Sequence, residues 1–173
     1  YADAAIRAKR ALEMDADHVD AVLLLAGALG ADGDAAGARE ALTAWTVRRP
    51  KDAEVHLALA DLLFAARDWS DADLHYTKGL EIAPEHGLAR LNQTVARQWL
   101  RVPLATLEKG YLEAARLLPD QDRPIALLLG LHPRDRAKRL ELLDQIVGAN
   151  PKAVWARVWI AHVCRNEEPI DTK

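Results

Sequence analysis

The stretch that decides the fold runs from Pro50 to Pro84 and reads PKDAEVHLALADLLFAARDWSDADLHYTKGLEIAP. Its apolar residues recur three and four positions apart on both sides of a polar turn at 66–68, which is the spacing of amphipathic helices. A proline that follows a helix cannot extend it, so each proline marks a helix end. The stretch therefore predicts two helices joined by a short turn.

The same pattern recurs along the chain at a fixed step, the step from Pro50 to Pro84. Ala4, Ala38 and Ala72 follow this step too. A fixed period of this length is typical of helical repeat proteins, in which each unit packs only on its neighbours. The chain is therefore expected to be all-α and built from stacked antiparallel helix pairs.

The register shifts in the second half of the chain. The step from Pro84 to Pro119 is one position longer than the step from Pro50 to Pro84, and the step from Pro119 to Pro151 is two positions shorter. One domain, 1–173, is expected, with regular repeats at 1–86, irregular repeats at 87–151 and a terminal helix at 152–165. The ten predicted helices span 2–14, 19–31, 35–48, 53–66, 69–82, 87–100, 103–118, 123–131, 134–148 and 152–165.

The composition agrees with a helical protein. The chain holds 33 Ala and 27 Leu among its 173 residues, and only 9 residues are aromatic. Ala and Leu have the highest helix propensities, whereas β-branched and aromatic residues are too few for a sheet protein. Cys164 is the single cysteine, so neither an internal disulfide nor a cysteine-rich metal site is possible.

This pattern resembles the tetratricopeptide repeat family. The residues that carry the likeness are Leu25, Ala26, Leu29, Gly33, Asp34, Ala38 and Pro50 in one repeat, and Leu59, Ala60, Leu63, Asp68, Trp69, Ala72, Tyr76 and Pro84 in the next. The resemblance implies a right-handed superhelical stack. It also implies that the first helix of each pair lines a concave groove for a peptide or a partner's helix.

Transferring the groove positions of the family to this sequence gives a set of candidate partner-binding residues. They are Glu54, Leu57, Asp61 and Phe64 in the third repeat, and Leu88, Asn92, Val95, Gln98 and Trp99 in the fourth. An alternative role stays open for Phe64 and Trp99, which would instead cover seams between repeats.

Three tryptophans call for separate explanations. Trp45 stands where the family usually has Ala, and packing is favoured over ligand contact, with Gly27, Gly30 and Gly79 providing room. Trp155 and Trp159 belong to a terminal helix that is apolar on most sides, and such a helix should be buried. The chain is therefore expected to be an excised piece of a longer repeat protein, or to associate with itself through its open ends.

The favoured function is a non-enzymatic scaffold that binds a protein or peptide in the groove. The alternative is the repeat region of a larger bacterial enzyme or export assembly, of the glycosyltransferase or exopolysaccharide secretion type, which recruits substrate or subunits. No catalytic motif, metal site or cofactor site is recognised. The basic stretch 132–139 is interrupted by carboxylates, so no nucleic-acid partner is expected, and no apolar stretch is long enough for membrane insertion. The compartment, bacterial cytoplasm or periplasm, stays open.

Overall fold

The computed structural model describes residues 1–165, which form ten α-helices without a strand. The helices are α1 (Ala2–Met14), α2 (Val19–Ala31), α3 (Ala35–Arg48), α4 (Ala53–Ala65), α5 (Trp69–Ile82), α6 (Gly87–Trp99), α7 (Leu104–Leu117), α8 (Arg123–Gly130), α9 (Arg136–Ala149) and α10 (Val154–Arg165). Every boundary lies within two residues of its prediction. The predicted all-α stack of helix pairs is confirmed.

Side chains at the helix starts explain several of these boundaries. The Asp34 carboxylate accepts a hydrogen bond from the Gly37 backbone N–H at 2.8 Å, and Asp135 accepts one from Lys138 N–H at 2.9 Å. Each bond satisfies a donor that the first helical turn leaves without a partner. Pro124 occupies the first turn of α8, where its missing N–H costs nothing.

The backbone repeats its conformation at the turns inside the first three helix pairs. Gly33, Arg67 and Arg101 have φ angles of 89°, 62° and 58°, and they follow one another at the same step as Pro50 and Pro84. Each lies in the left-handed region that favours glycine. The turn between α8 and α9 has no such residue, because α8 is only eight residues long and ends differently.

The residues that follow the second helix of each pair show the register directly. These C-caps are Asp15, Arg49, Ala83, Leu118 and Asn150. The first two steps between them equal the step from Pro50 to Pro84, the third is one position longer and the fourth is two positions shorter. The helix ends therefore shift where the prolines of the sequence do.

The chain divides into two compact units, residues 1–84 and 85–173. This division falls close to residue 86, where the regular repeats were expected to end. In the first unit, α1 to α5 pack in chain order, and Leu42, Leu59 and Tyr76 are fully buried. A single domain and a right-handed superhelix over the whole chain stay predictions.

In the second unit α7 occupies the centre. It packs against α6, α8 and α9, and α10 packs against α9. Tyr111 on α7, Leu128 on α8 and Leu143 on α9 are fully buried in one core. Among the ten helices of residues 1–165, none combines the length and apolar character needed to cross a bilayer.

Trp45 on α3 is packed inside the first unit, with only 1% of its surface exposed. Its indole N–H donates a hydrogen bond to the Asp52 carboxylate at 2.6 Å, and the Arg48 guanidinium lies 5.1 Å from the ring centroid. A buried indole needs such an acceptor for its N–H. The predicted packing role of Trp45 is confirmed.

The glycines do not make room for Trp45 in the way that the sequence suggested. A Cβ added to Gly27 or Gly30 would meet no atom within 4 Å, so these two glycines face open space and the expectation was wrong. A Cβ on Gly79 would lie 2.4 Å from Leu57 Cδ2. Gly79 therefore makes room for Leu57, which fills the space beside α5.

Candidate interaction surface

Helix α4 carries four of the residues expected to bind a partner. Glu54 and Asp61 are exposed, as a binding surface requires. Leu57 is only 5% exposed and packs against Gly79. Little of its side chain is therefore open to a partner, because the missing side chain at Gly79 leaves space for it beside α5, and its role as a groove residue stays a prediction.

Phe64 is half-buried in an aromatic cluster of its own repeat. Its ring meets Trp69 edge to face at a centroid distance of 5.2 Å, and Tyr76 at 6.3 Å. Edge-to-face pairs at these distances are favourable. Phe64 therefore contributes to the packing of α4 on α5, and its remaining surface is small.

Helix α6 presents a stripe of four candidate residues, Leu88, Asn92, Val95 and Trp99. They are spaced by four, three and four positions, so they share one helix face. Trp99 is 65% exposed and Leu88 49% exposed at the two ends, and Asn92 and Val95 are half-buried between them. At 1.5 Å per residue the stripe is about 16 Å long.

Two buried tyrosines reach from the second helix of a pair to a candidate residue on the first. Tyr76 O–H donates to Asp61 Oδ1 at 2.5 Å, and Tyr111 O–H donates to Gln98 Oε1 at 2.5 Å. Burial raises the pKa of Tyr111 to about 12, so its hydroxyl stays a donor at neutral pH. Both hydrogen bonds fix the accepting side chains in place, which sequence spacing alone did not reveal.

The terminal helix α10 is covered by its own chain only in part. Trp159 is half-buried against the core of the second unit. Trp155 donates its indole N–H to the Asp120 carbonyl at 3.1 Å but remains 38% exposed, and Val154 and Val158 beside it are more exposed still. The face that includes Trp155 is therefore apolar and open.

Asp71 and His75 share a face of α5, but Asp71 pairs with Arg39 at 3.3 Å whereas His75 contacts His56. Within residues 1–165, no three His, Cys, Asp or Glu side chains converge as a metal site would need.

The first part of the chain resembles a known family in sequence. Residues 1–62 match the family model described as tetratricopeptide repeat. No curated protein sequence matches the chain.

Solved structures with this fold share little sequence with the chain. The crystal structure of MamA is 16% identical with a TM-score of 0.67, and the match covers 91% of this chain and 89% of MamA. TTC0263, a tetratricopeptide repeat protein of Thermus thermophilus, is 17% identical with a TM-score of 0.59, over 92% of this chain and 88% of its own. The repeat, the ten helices of residues 1–165 and these likenesses lead to one conclusion: the chain has the fold of tetratricopeptide repeat proteins, and residues 1–62 match the family model itself.

Proposed function

We propose that the chain binds an apolar segment of a partner protein, in helical form, along the stripe of α6. The observation that carries this proposal is the stripe itself, with an exposed indole at one end and an exposed Leu at the other. The fold supports a general role as a protein-interaction scaffold, and it is typically a non-catalytic module.

The chemistry of the stripe favours a helix as its ligand. A helix binds a groove through side chains at positions i, i+4 and i+7, and a length of about 16 Å matches three turns. Trp99 is the expected anchor, because exposed Trp residues dominate the energy of many interfaces. Gln98, held by Tyr111, lies beside Trp99 and adds a positioned polar group at the rim.

The candidate residues of α4 form a second, more polar surface in this proposal. Glu54 and Asp61 contribute carboxylates, and the open edge of Phe64 contributes apolar area. Because Phe64 is largely committed to Trp69 and Tyr76, its replacement should reduce binding less than that of Trp99. Basic residues beside the apolar face of the partner would complement this surface.

A capture experiment with matched variants tests the α6 stripe. Residues 1–173 are immobilised as wild type, as Trp99→Ala, as Phe64→Ala and as Leu74→Ala, and bound proteins are quantified by mass spectrometry. Leu74 is an apolar residue of α5 that is about as exposed as Leu88, so it controls for nonspecific adhesion. Loss of an anchor Trp costs about 2 kcal/mol or more, which is roughly a 30-fold loss of affinity.

The expected partner is one that Leu74→Ala retains and Trp99→Ala loses, with helicity unchanged in both variants. A partner retained by Trp99→Ala and by Phe64→Ala alike contradicts binding at these helices. Capture of a substrate or a subunit of an enzyme or export assembly would favour the alternative role within a larger enzyme or export assembly.

Self-association is a second candidate, supported by the open face of α10. An apolar face of this kind stabilises a dimer when a second copy covers it. Light scattering across a range of concentrations tests this, with Trp155→Ala as the variant. We expect the mass to rise with concentration in wild type and not in the variant; a constant monomer mass in both contradicts the idea.

A further inference from the structure

Two histidines of the first unit form a direct contact that joins three structural elements. His56 on α4 is almost fully buried, and its Nδ1 lies 3.0 Å from Nδ1 of His75 on α5. On its other side, His56 Nε2 lies 3.1 Å from the carbonyl oxygen of Pro50 in the α3–α4 turn. A single imidazole therefore connects that turn to α5.

The ring geometry identifies the contact as a hydrogen bond. The ring centroids are 5.3 Å apart, which exceeds the distance between the Nδ1 atoms by about the sum of two ring radii. The two Nδ1 atoms therefore point at each other and do not converge on a third point, as ligands of a tetrahedral metal would. One proton lies between them.

The partners determine where the protons of the neutral pair are. The Pro50 carbonyl can only accept, so His56 Nε2 carries a proton and donates it. Neutral His56 then accepts at Nδ1, and His75 must donate from its own Nδ1. The remaining nitrogen, His75 Nε2, is left without a proton.

A proton added to this arrangement disturbs it in two steps. The first proton goes to His75 Nε2, keeps the bond between the rings and places a positive charge on a half-buried imidazole. A second proton, on His56 Nδ1, sets two donors against each other at 3.0 Å and breaks the bond.

The charges that face His75 oppose its protonation on balance. Arg39 comes from α3, Lys51 from the α3–α4 turn and Lys78 from α5. The carboxylates near His75 are those of Asp71 and Glu81 on α5. Asp71 is already paired with Arg39. Burial, followed by the charge of His56 and of Lys78, lowers the pKa of His75 from 6.5 to about 4.

We propose that His56 and His75 form an acid-sensitive latch in the first unit: the neutral pair fastens α5 and the α3–α4 turn to α4, and acidification weakens this fastening by placing charge on the buried pair. Because the folded state resists protonation and the unfolded state does not, stability is complete above pH 6.5 and declines as the pH falls to 4. Glu54 and Asp61 lie on the helix that the latch holds, so acid also weakens the α4 surface.

Urea unfolding at pH 7 and pH 4 tests the latch with three proteins: wild type, His75→Gln and His18→Gln. The Gln amide can donate to His56 without titrating, and His18 is an exposed histidine that serves as control. Between these pH values the unfolding equilibrium of wild type and of His18→Gln should shift by up to about 100-fold more than that of His75→Gln. Equal shifts in all three proteins overturn the proposal.

A measurement on the wild-type chain keeps the proposal falsifiable if His75→Gln does not fold. The imidazole proton signals of His56 and His75 are followed by NMR as the pH falls. Coupled rings predict that the His56 signals move with the titration of His75. Amide exchange at Asp52, whose N–H bonds the Arg49 carbonyl in the same turn, should then become faster after correction for intrinsic rates. Independent titration near pH 6.5 refutes the latch.

Discussion

Replacing Trp45 tests how the first unit holds together. Trp45→Ala removes the largest buried side chain of α3 and leaves a cavity, because the surrounding helices collapse only in part. Truncation of a fully buried Trp costs about 3–5 kcal/mol. A domain is typically stable by roughly 5–15 kcal/mol, so this single change removes a large share of the stability.

Two further variants divide that cost between ring burial and the hydrogen bond. Trp45→Phe keeps most of the apolar contact but leaves the Asp52 carboxylate without its donor. Because Asp52 is half-exposed and water replaces the indole N–H, we expect a loss of about 1–2 kcal/mol. Val47→Ala changes an exposed residue on the same helix and should stay within about 0.5 kcal/mol of wild type.

Equilibrium urea unfolding followed by far-ultraviolet circular dichroism is the assay. Fluorescence is unsuitable because the substitution removes one of the chain's 5 tryptophans. With a slope of about 2 kcal/mol per molar urea, Trp45→Ala should lower the midpoint by roughly 2 M. A loss under about 1 kcal/mol for Trp45→Ala, or equal losses for Ala and Phe, refutes the reasoning that ring burial dominates.

Other substitutions follow from contacts at single positions. Gly79→Ala should cost about 1–3 kcal/mol in the same assay, because its Cβ would lie 2.4 Å from buried Leu57. Gly27→Ala has open space around it and should instead stabilise α2 by roughly 0.5–1 kcal/mol. Equal effects of the two substitutions on stability would contradict the packing described. Tyr111 has a higher pKa in the folded than in the unfolded chain, so its contribution to stability is complete below pH 10 and is lost as the pH rises towards 12. Tyrosinate absorbance of the folded chain should therefore include a late titration step that becomes smaller by one tyrosine in Tyr111→Phe; an unchanged late step in the variant is the contrary result.

The sequence was sufficient to predict the helices because repeat and local signals agree. The fixed repeat step, the prolines after helices and caps such as Asp34 all act within one or two turns of chain. They place each boundary without knowledge of the neighbours. Even the change of register after Pro84 is visible as a change in proline spacing.

The candidate surface was harder to predict because it depends on contacts between helices. Leu57 occupies a groove position of the family, yet the absence of a side chain at Gly79 lets it pack inward. The hydrogen bond from Tyr76 to Asp61 joins residues 15 apart, and the contact of His56 with His75 joins residues 19 apart. Neither spacing corresponds to a face of one helix, so no pattern in the sequence reveals them.

The left-handed turn residues have a consequence for improving this protein. Gly33 adopts its positive φ freely, whereas Arg67 and Arg101 hold the same conformation against the repulsion of their own Cβ atoms, at a cost of roughly 1 kcal/mol each. The packing of helix pairs therefore imposes the turn whatever residue occupies it. Two exposed arginines are thus ready sites for a thermostabilised scaffold, in which glycine relieves the strain without touching α4, α6 or the latch.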